Sequence, residues 1–146
     1  NVIVVRTMSK AFALAGARVG YMIADPKVIE AALLIRLPYH LSSQTQALAL
    51  VALEHQGLLK KEVELLRTER DRVSAELEKL GFQVIPSDAN FLLFSGFKAG
   101  GKVIWNALLE AGILIRDVGI EGYLRVTIGT PTENNQFLAA IANHRQ

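Results

Sequence analysis

The sequence contains no cysteine, and this absence excludes disulfide bonds and thiolate metal sites. Its three histidines, His40, His55 and His144, are scattered without the spacing of metal ligands, so we expect no zinc site. The sequence also lacks a large excess of either charge, because it has 16 basic and 14 acidic residues and a net charge of +2. No basic stripe interleaved with aromatic residues is present, which argues against nucleic-acid binding.

Long apolar runs are missing as well. Residues 47–53 are apolar, but Glu54 ends the run far below the roughly 18 residues that a membrane helix needs. The chain starts at Asn1 without a charged leader, which predicts neither a signal peptide nor a transit peptide. Together with the lack of cysteine, this indicates a cytoplasmic protein with no membrane partner. Because a strand opens the chain with no preceding element to pair with, we expect a fragment of a longer protein.

What the sequence does contain is enough apolar side chain for a core, since 51% of its residues are hydrophobic. Residues 2–5 are β-branched and predict a buried strand, and residues 18–24 predict a second strand. Asp25 and Pro26 mark the start of a helix that reaches about residue 37.

Two further helices are predicted between residues 42 and 80. Ser42 and Ser43 cap a helix that continues to about residue 55 and ends at Gly57. Residues 58–80 show apolar side chains at helical spacing and predict a long amphipathic helix, which Gly81 ends.

The region after Gly81 predicts a small α/β lobe that ends the chain. Short strands are predicted at residues 82–85, 90–94, 113–117 and 123–128, with one helix at residues 102–111. A last helix begins at Pro131, with Thr130 as its cap and Glu133 in its first turn. The whole pattern predicts an α/β fold class.

Two groups of residues carry candidate chemistry. Lys10 follows the first strand, and the hydroxyls of Thr7 and Ser9 and the guanidinium of Arg18 lie close to it in sequence. A lysine that holds an aldehyde cofactor needs a neutral amine, which burial favours, and a cofactor phosphate needs hydroxyl and guanidinium donors. The alternative is that Lys10 is an ordinary solvated charge.

The second group comprises Arg116 and Arg125, which lie in consecutive predicted strands among apolar neighbours. A guanidinium in such surroundings requires an anion, from the protein or from a ligand. Asp117 and Glu121 are candidate ion-pair partners, and a substrate carboxylate is the other choice, because arginine binds carboxylates in a bidentate manner.

The segment from Gly96 to Lys102 has the G-x-x-x-x-G-K spacing of a phosphate-binding loop. However, Val103 stands where a serine or threonine must bind Mg²⁺. We therefore interpret this segment as a glycine-rich turn and expect no nucleotide site.

The string S-K-x-F-x-L-A-G-x-R-x-G, which runs from Ser9 to Gly20, resembles the cofactor-lysine segment of the fold-type I aminotransferases, especially the histidinol-phosphate aminotransferase family of actinobacteria. The resemblance continues over essentially the whole chain, through the segments L-P-Y-H-L-S-S at 37–43, P-S-D-A-N-F at 86–91, I-L-I-R-D-V at 113–118 and Y-L-R-V at 123–126.

This resemblance implies pyridoxal 5'-phosphate as the cofactor and amino-group transfer between L-histidinol phosphate and 2-oxoglutarate. Lys10 would hold the cofactor covalently and move the proton during catalysis. Thr7, Ser9 and Arg18 would bind the cofactor phosphate. Arg125 matches the arginine that binds the substrate carboxylate, and Arg116 is a possible contact for the substrate phosphate.

The resemblance also implies a homodimer and a domain arrangement. Residues 1–57 would form the end of the large cofactor-binding domain, residues 58–80 an interdomain helix, and residues 81–146 the small carboxy-terminal domain. The acidic partner of the pyridinium nitrogen and the ring-stacking residue lie upstream of the lysine in this family, outside this sequence. The alternatives are an aromatic-amino-acid aminotransferase, a related lyase with the same cofactor, or a truncated domain without activity.

Overall fold

The computed structural model describes residues 1–144 and shows a mixed chain of helices and strands, which agrees with the predicted α/β class. The strands are β1 (Val4–Thr7), β2 (Gly20–Ile23), β3 (Gln83–Ile85), β4 (Phe91–Ser95), β5 (Arg116–Asp117) and β6 (Tyr123–Thr127). The helices are α1 (Pro26–Ile35), α2 (Ser43–Glu54), α3 (Gln56–Lys79), α4 (Gly101–Glu110) and α5 (Pro131–Ala142). The chain divides into two compact units, an amino-terminal unit (Asn1–Val63) and a carboxy-terminal unit (Glu64–Gln146).

In the amino-terminal unit, β1 and β2 form a two-stranded antiparallel sheet that pairs Val4 with Ile23 and Thr7 with Gly20. The first strand was predicted at residues 2–5 and buried. It lies two residues later, and all four of its residues are exposed. The burial was wrong because a sheet of two four-residue strands covers neither of its own faces.

The helices α1 and α2 begin where the capping residues predict. Asp25 Oδ1 accepts a hydrogen bond from the Lys27 amide at 2.9 Å, and Ser42 Oγ accepts one from the Thr45 amide at 3.1 Å. The predicted end of the second helix at Gly57 is wrong, because α2 ends at Glu54 and Gly57 lies inside α3. Among the described residues of α1 and α2, none is buried.

The carboxy-terminal unit is built on a four-stranded antiparallel sheet with the order β3-β4-β6-β5. Alternate residues of its two central strands are buried, as the twofold period of a strand requires. They form one apolar cluster with residues from α3, α4 and α5, and its members include Leu92, Phe94, Leu124, Val126, Val73, Leu77, Ile104, Leu108, Phe137 and Ile141. This core packs against one face of the sheet, and the intervening residues of β4 and β6 point to the opposite face.

The boundaries in this unit show why one predicted strand is shorter than expected. Residues 113–117 were predicted as a strand, but β5 contains only Arg116 and Asp117. The Ile113 amide donates to the Leu108 carbonyl at 2.8 Å, and Trp105 Nε1 donates to the Ile115 carbonyl at 3.0 Å. These bonds use backbone groups that a longer strand would need for pairing.

Candidate functional site

Lys10 lies in the loop that connects β1 to β2. The loop is held by its own backbone, since the Met8 amide donates to the Val19 carbonyl at 3.1 Å and the Leu14 amide donates to the Met8 carbonyl at 3.0 Å. A tight turn brings the Ala13 amide to the Lys10 carbonyl at 2.9 Å. Local hydrogen bonds therefore fix where the lysine leaves the sheet.

The side chain of Lys10 itself is exposed, contrary to the burial expected for a lysine that holds an aldehyde. Among the described residues of this unit, Met8 and Val19 are the buried apolar ones, and both belong to the ends of the loop. The loop thus buries its anchoring residues and leaves the lysine in solvent.

Thr7 and Ser9 offer hydroxyl donors at the start of the same loop, and Arg18 offers a guanidinium near its end. Thr7 Oγ1 donates to Ser9 Oγ at 2.8 Å and accepts from the Ser9 amide at 3.1 Å. Thr7 and Arg18 both line a cavity of about 410 Å³ at the ends of β1 and β2, whereas Ser9 and Lys10 do not line it. The structure thus brings Thr7 together with Ser9 by hydrogen bonds, and Thr7 together with Arg18 by the shared cavity.

The backbone of this loop is strained. Ala13 and Arg18 adopt left-handed conformations with φ of 54° and 52°, which costs a non-glycine residue about 1–2 kcal/mol. At Gly20, an added Cβ would lie 2.5 Å from the Arg6 carbonyl oxygen, so the close approach of the two strands requires glycine there. Strain of this kind often accompanies a functional site.

The two arginines of the carboxy-terminal unit lie directly opposite each other. Arg116 of β5 is the register partner of Arg125 of β6, so both side chains leave the same face of the sheet. With Leu114, Ile115 and Thr127 they line a cavity of about 310 Å³. Like charges at directly opposed positions repel, and a bound anion would remove that repulsion.

Within the described residues 1–144, neither arginine has the ion pair that was considered as an alternative. Asp117 lies instead 3.7 Å from Lys102 Nζ and accepts the Gly119 amide at 3.0 Å. The Nε of Arg125 is buried and has no hydrogen-bond partner in this part of the chain. A buried N–H donor without an acceptor is costly, so the Nε of Arg125 is a candidate donor to a bound anion.

Sequence reasoning missed the aromatic neighbour of Arg125. The Cζ atom of Arg125 lies 4.9 Å from the ring centroid of Phe91, the first residue of β4. Nothing in the local sequence indicates this contact, because it depends on the pairing of β4 with β6.

Sequence reasoning also missed a buried polar network that joins α3 and α5 to the residues that follow β6. Asn134 Nδ2 donates to Glu69 Oε2 at 2.8 Å and to the Gly129 carbonyl at 3.0 Å, and Asn134 Oδ1 accepts the Gly129 amide at 3.0 Å. Arg72 binds the same carboxylate through two nitrogens, at 2.8 and 2.6 Å. The one available signal was the position of Glu69 on the apolar stripe of α3, between Leu66 and Val73.

The glycine-rich segment before α4 is a turn, as predicted, closed by the Gly100 amide on the Phe97 carbonyl at 3.2 Å. Lys102 Nζ lies 4.1 Å from the Trp105 ring centroid as well as near Asp117. In the described residues, no cluster of histidine, aspartate and glutamate side chains is arranged to hold a metal ion. No helix in that same part of the chain has the length and apolar character to cross a membrane.

The strained lysine loop, the paired arginines and the mixed α/β fold agree with a known class of enzymes. The model of the aminotransferase class I and II family matches residues 1–141, and the chain belongs to this family. Within that class, the chain is similar to the histidinol-phosphate aminotransferases of Mycolicibacterium smegmatis, with 58% identity over 140 residues, and of Frankia casuarinae, with 54% identity over 141 residues.

These two alignments cover 96% and 97% of the chain but 37% and 35% of the relatives. The chain therefore spans little more than a third of the length of the curated relatives it matches. The crystal structure of histidinol-phosphate aminotransferase from Sinorhizobium meliloti in complex with pyridoxal-5'-phosphate is 30% identical, with a TM-score of 0.82, over 98% of the chain and 40% of that protein.

Proposed function

We propose that the chain is part of an enzyme of histidine biosynthesis that transfers an amino group between L-histidinol phosphate and 2-oxoglutarate, giving imidazole-acetol phosphate and glutamate. Membership of the aminotransferase family supports the reaction class. The observation that carries the substrate class is the opposed pair Arg116 and Arg125, with the buried Nε of Arg125 that has no hydrogen-bond partner among residues 1–144. Identity of 54–58% with proteins named histidinol-phosphate aminotransferase supports the particular substrate.

The proposed cofactor is pyridoxal 5'-phosphate, and the donor set of the β1–β2 loop fits it. Thr7 and Ser9 offer hydroxyls and Arg18 offers a guanidinium, which together suit a phosphate dianion. When bound, the cofactor supplies an electron sink that acidifies the C–H bond next to the amine. Lys10 would hold the aldehyde carbon of the cofactor through its Nζ, and afterwards its free amine would move the proton at the substrate Cα.

The arginine pair suits both amino compounds of the proposed reaction, the donor L-histidinol phosphate and the product glutamate. Glutamate carries a carboxylate on its amine-bearing carbon, whereas L-histidinol phosphate carries a phosphate ester on the neighbouring CH₂ group. We assign the α-carboxylate to Arg125 and the substrate phosphate to Arg116. Because the two side chains leave the sheet at opposed positions, one cavity offers donors to either anion.

A chimeric enzyme tests this function. The matching 140-residue segment of the Mycolicibacterium smegmatis relative is replaced with the corresponding part of this chain, and glutamate formation from 2-oxoglutarate and L-histidinol phosphate is measured. We expect an active chimera that loses activity when Lys10→Ala is introduced, whereas Lys27→Ala, a change at an exposed lysine of α1, leaves it active. A folded chimera without activity would contradict the proposal.

The same chimera separates the remaining alternatives. Faster transfer from phenylalanine or tyrosine than from L-histidinol phosphate would favour an aromatic-amino-acid aminotransferase, and release of CO₂ from a phosphorylated amino acid would favour a lyase. A segment that only folds and never supports turnover would favour a silent truncated domain.

We further propose the domain division that the family resemblance implies, with residues 1–57 in the cofactor-binding domain, 58–80 as an interdomain helix and 81–146 as the small domain. The compact units Asn1–Val63 and Glu64–Gln146 support a division in this region of the chain. A cytoplasmic homodimer completes the proposal: the lack of cysteine fits a reducing compartment, and the resemblance implies the dimer. Sedimentation of the chimera would test the dimeric state.

A further inference from the structure

The ring of Phe91 lies against the guanidinium of Arg125, with 4.9 Å between Cζ and the ring centroid. The strand register explains this contact. Leu93 is the direct partner of Arg125 and Phe91 is the partner of Thr127, so Phe91 is the diagonal neighbour of Arg125 on the same face of the sheet. Diagonal neighbours of this kind lie within reach of aromatic and long side chains.

The backbone at Phe91 is anchored on both sides. Ser87 Oγ donates to the Phe91 carbonyl at 2.7 Å and accepts the Ala89 amide at 3.1 Å, which closes the loop before β4. The Ile128 amide donates to the Asn90 carbonyl at 3.0 Å, which ties the start of β4 to the end of β6. The backbone that carries the Phe91 ring is therefore fixed by hydrogen bonds next to Arg125.

Arg125, by contrast, has a long side chain with several rotatable bonds. Its buried Nε has no acceptor among residues 1–144, and its guanidinium takes part in no ion pair in that range. Arg116, its register partner, repels it. The Phe91 ring is the aromatic face against which the guanidinium rests.

We propose that Phe91 is a positioning residue, whose ring holds the Arg125 guanidinium in the orientation that presents its N–H groups to an anion in the cavity of about 310 Å³. This inference rests on the proposed role of Arg125 as the anion-binding residue. A ring that prearranges the guanidinium lowers the ordering cost of binding, so its loss weakens binding of the anion.

The test uses the whole 146-residue chain and inorganic phosphate as the probe. Two resonances are followed by ¹⁵N NMR during a phosphate titration: the side-chain Nε–H of Arg125, identified by its disappearance in Arg125→Gln, and the backbone amide of Thr127, which lines the same cavity and is present in every variant. For Phe91→Leu we expect the half-saturating phosphate concentration to rise by about three- to tenfold, the range of a partly desolvated cation–π contact. Phe91→Tyr keeps the ring face and should stay within about twofold of the unmodified chain.

Leu93→Ala is the matched control, because Leu93 lies directly opposite Arg125 but has no aromatic face. We expect it to bind phosphate within about twofold of the unmodified chain, whatever its cost in stability. If Phe91→Leu does not fold, Phe91→Met provides a second apolar side chain without a ring, with the same expected loss of affinity.

The possible failures are distinguishable. Phosphate binding that is unchanged in Arg125→Gln, or absent in the unmodified chain, would overturn the anion-binding role of Arg125 and the inference with it. Binding that is lost in Arg125→Gln but unchanged in Phe91→Leu would overturn only the positioning role. Equal weakening in Phe91→Leu and Leu93→Ala would show that apolar bulk, and not the ring, supports the arginine.

Discussion

Among single residues, Glu69 shows how the carboxy-terminal unit stabilises a buried charge. Its carboxylate is buried on α3 and accepts hydrogen bonds from Arg72 and Asn134. These hydrogen bonds lower the pKa of Glu69 from 4.5 to about 2, and those from Arg72 have the largest effect. Because Asn134 also holds both backbone groups of Gly129, the network ties α3 to the residues that follow β6.

This network predicts a dependence of stability on pH. Because the pKa of Glu69 is lower in the folded chain, its contribution to the free energy of unfolding is present above about pH 4.5 and is lost as the pH falls towards about 2. Urea unfolding at several pH values would measure this loss. In Glu69→Gln we expect a chain that is about 1–3 kcal/mol less stable at neutral pH and has a weaker acid dependence.

Glu133→Gln is the control for this prediction. The Thr130 amide and hydroxyl lower the pKa of Glu133 as well. Because Glu133 is exposed, we expect Glu133→Gln to remove only a minor part of the acid dependence. An acid dependence that is the same in Glu69→Gln as in the unmodified chain would contradict the assignment.

Lys10 is the second residue with a direct test. We expect pyridoxal phosphate followed by borohydride reduction to modify Lys10 in preference to Lys27, because Thr7, Ser9 and Arg18 are the proposed donors to the cofactor phosphate near Lys10. Peptide mass mapping measures the modified fraction at each lysine. Arg18→Gln should reduce this preference, and equal labelling of all lysines in the unmodified chain would argue against a cofactor site in the isolated chain.

Among the secondary-structure elements, α3 and α5 have well-defined ends. Gly81 ends α3 with φ of 92°, and the Phe82 amide donates to the Leu77 carbonyl at 3.0 Å, as in a Schellman motif. At the start of α5, Thr130 and Glu133 form a reciprocal capping box. Both ends place apolar residues of the helices, among them Leu77 and Phe137, into the core.

The capping box of α5 predicts the effect of a small substitution. Thr130→Ala removes the acceptor of the Glu133 amide, and we expect the free energy of unfolding to fall by about 1 kcal/mol. Thr130→Ser keeps the hydroxyl and should change stability far less. Equilibrium unfolding in urea measures both variants, and equal stability of the two would show that the hydroxyl does not stabilise the helix.

At the scale of the whole molecule, the two units differ in how much apolar surface they bury. The carboxy-terminal unit has a continuous core that includes Phe94, Leu108 and Ile141. In the amino-terminal unit, large apolar side chains such as Leu34 and Ile35 are 87% and 85% exposed. The free energy that protects backbone amides from exchange must therefore differ between the units.

Hydrogen exchange of the purified chain would measure this difference. We expect the amides of β4 and β6 to exchange at least about a hundredfold more slowly than those of β1, β2 and α1, because opening the first group exposes the core. Similar protection in both units would indicate that the exposed apolar surface is covered in solution, for example by a second copy of the chain.

Local sequence determined much of this protein. The caps at Asp25, Ser42 and Thr130 and the stop at Gly81 predicted where helices begin and end, because capping depends on side-chain and backbone groups only a few residues apart. The segment from Ser9 to Gly20 was sufficient to indicate the family, which the match over residues 1–141 then confirmed.

Tertiary structure decided the environment of the site residues. Sequence placed Arg116 and Arg125 in consecutive strands, but only the register of β5 with β6 makes them direct partners, and only the register of β4 with β6 brings Phe91 to Arg125. The bond between Glu69 and Asn134 joins residues 65 positions apart. Burial also escaped prediction, as the exposed β1 shows, because an apolar strand is buried only when another element packs on its face.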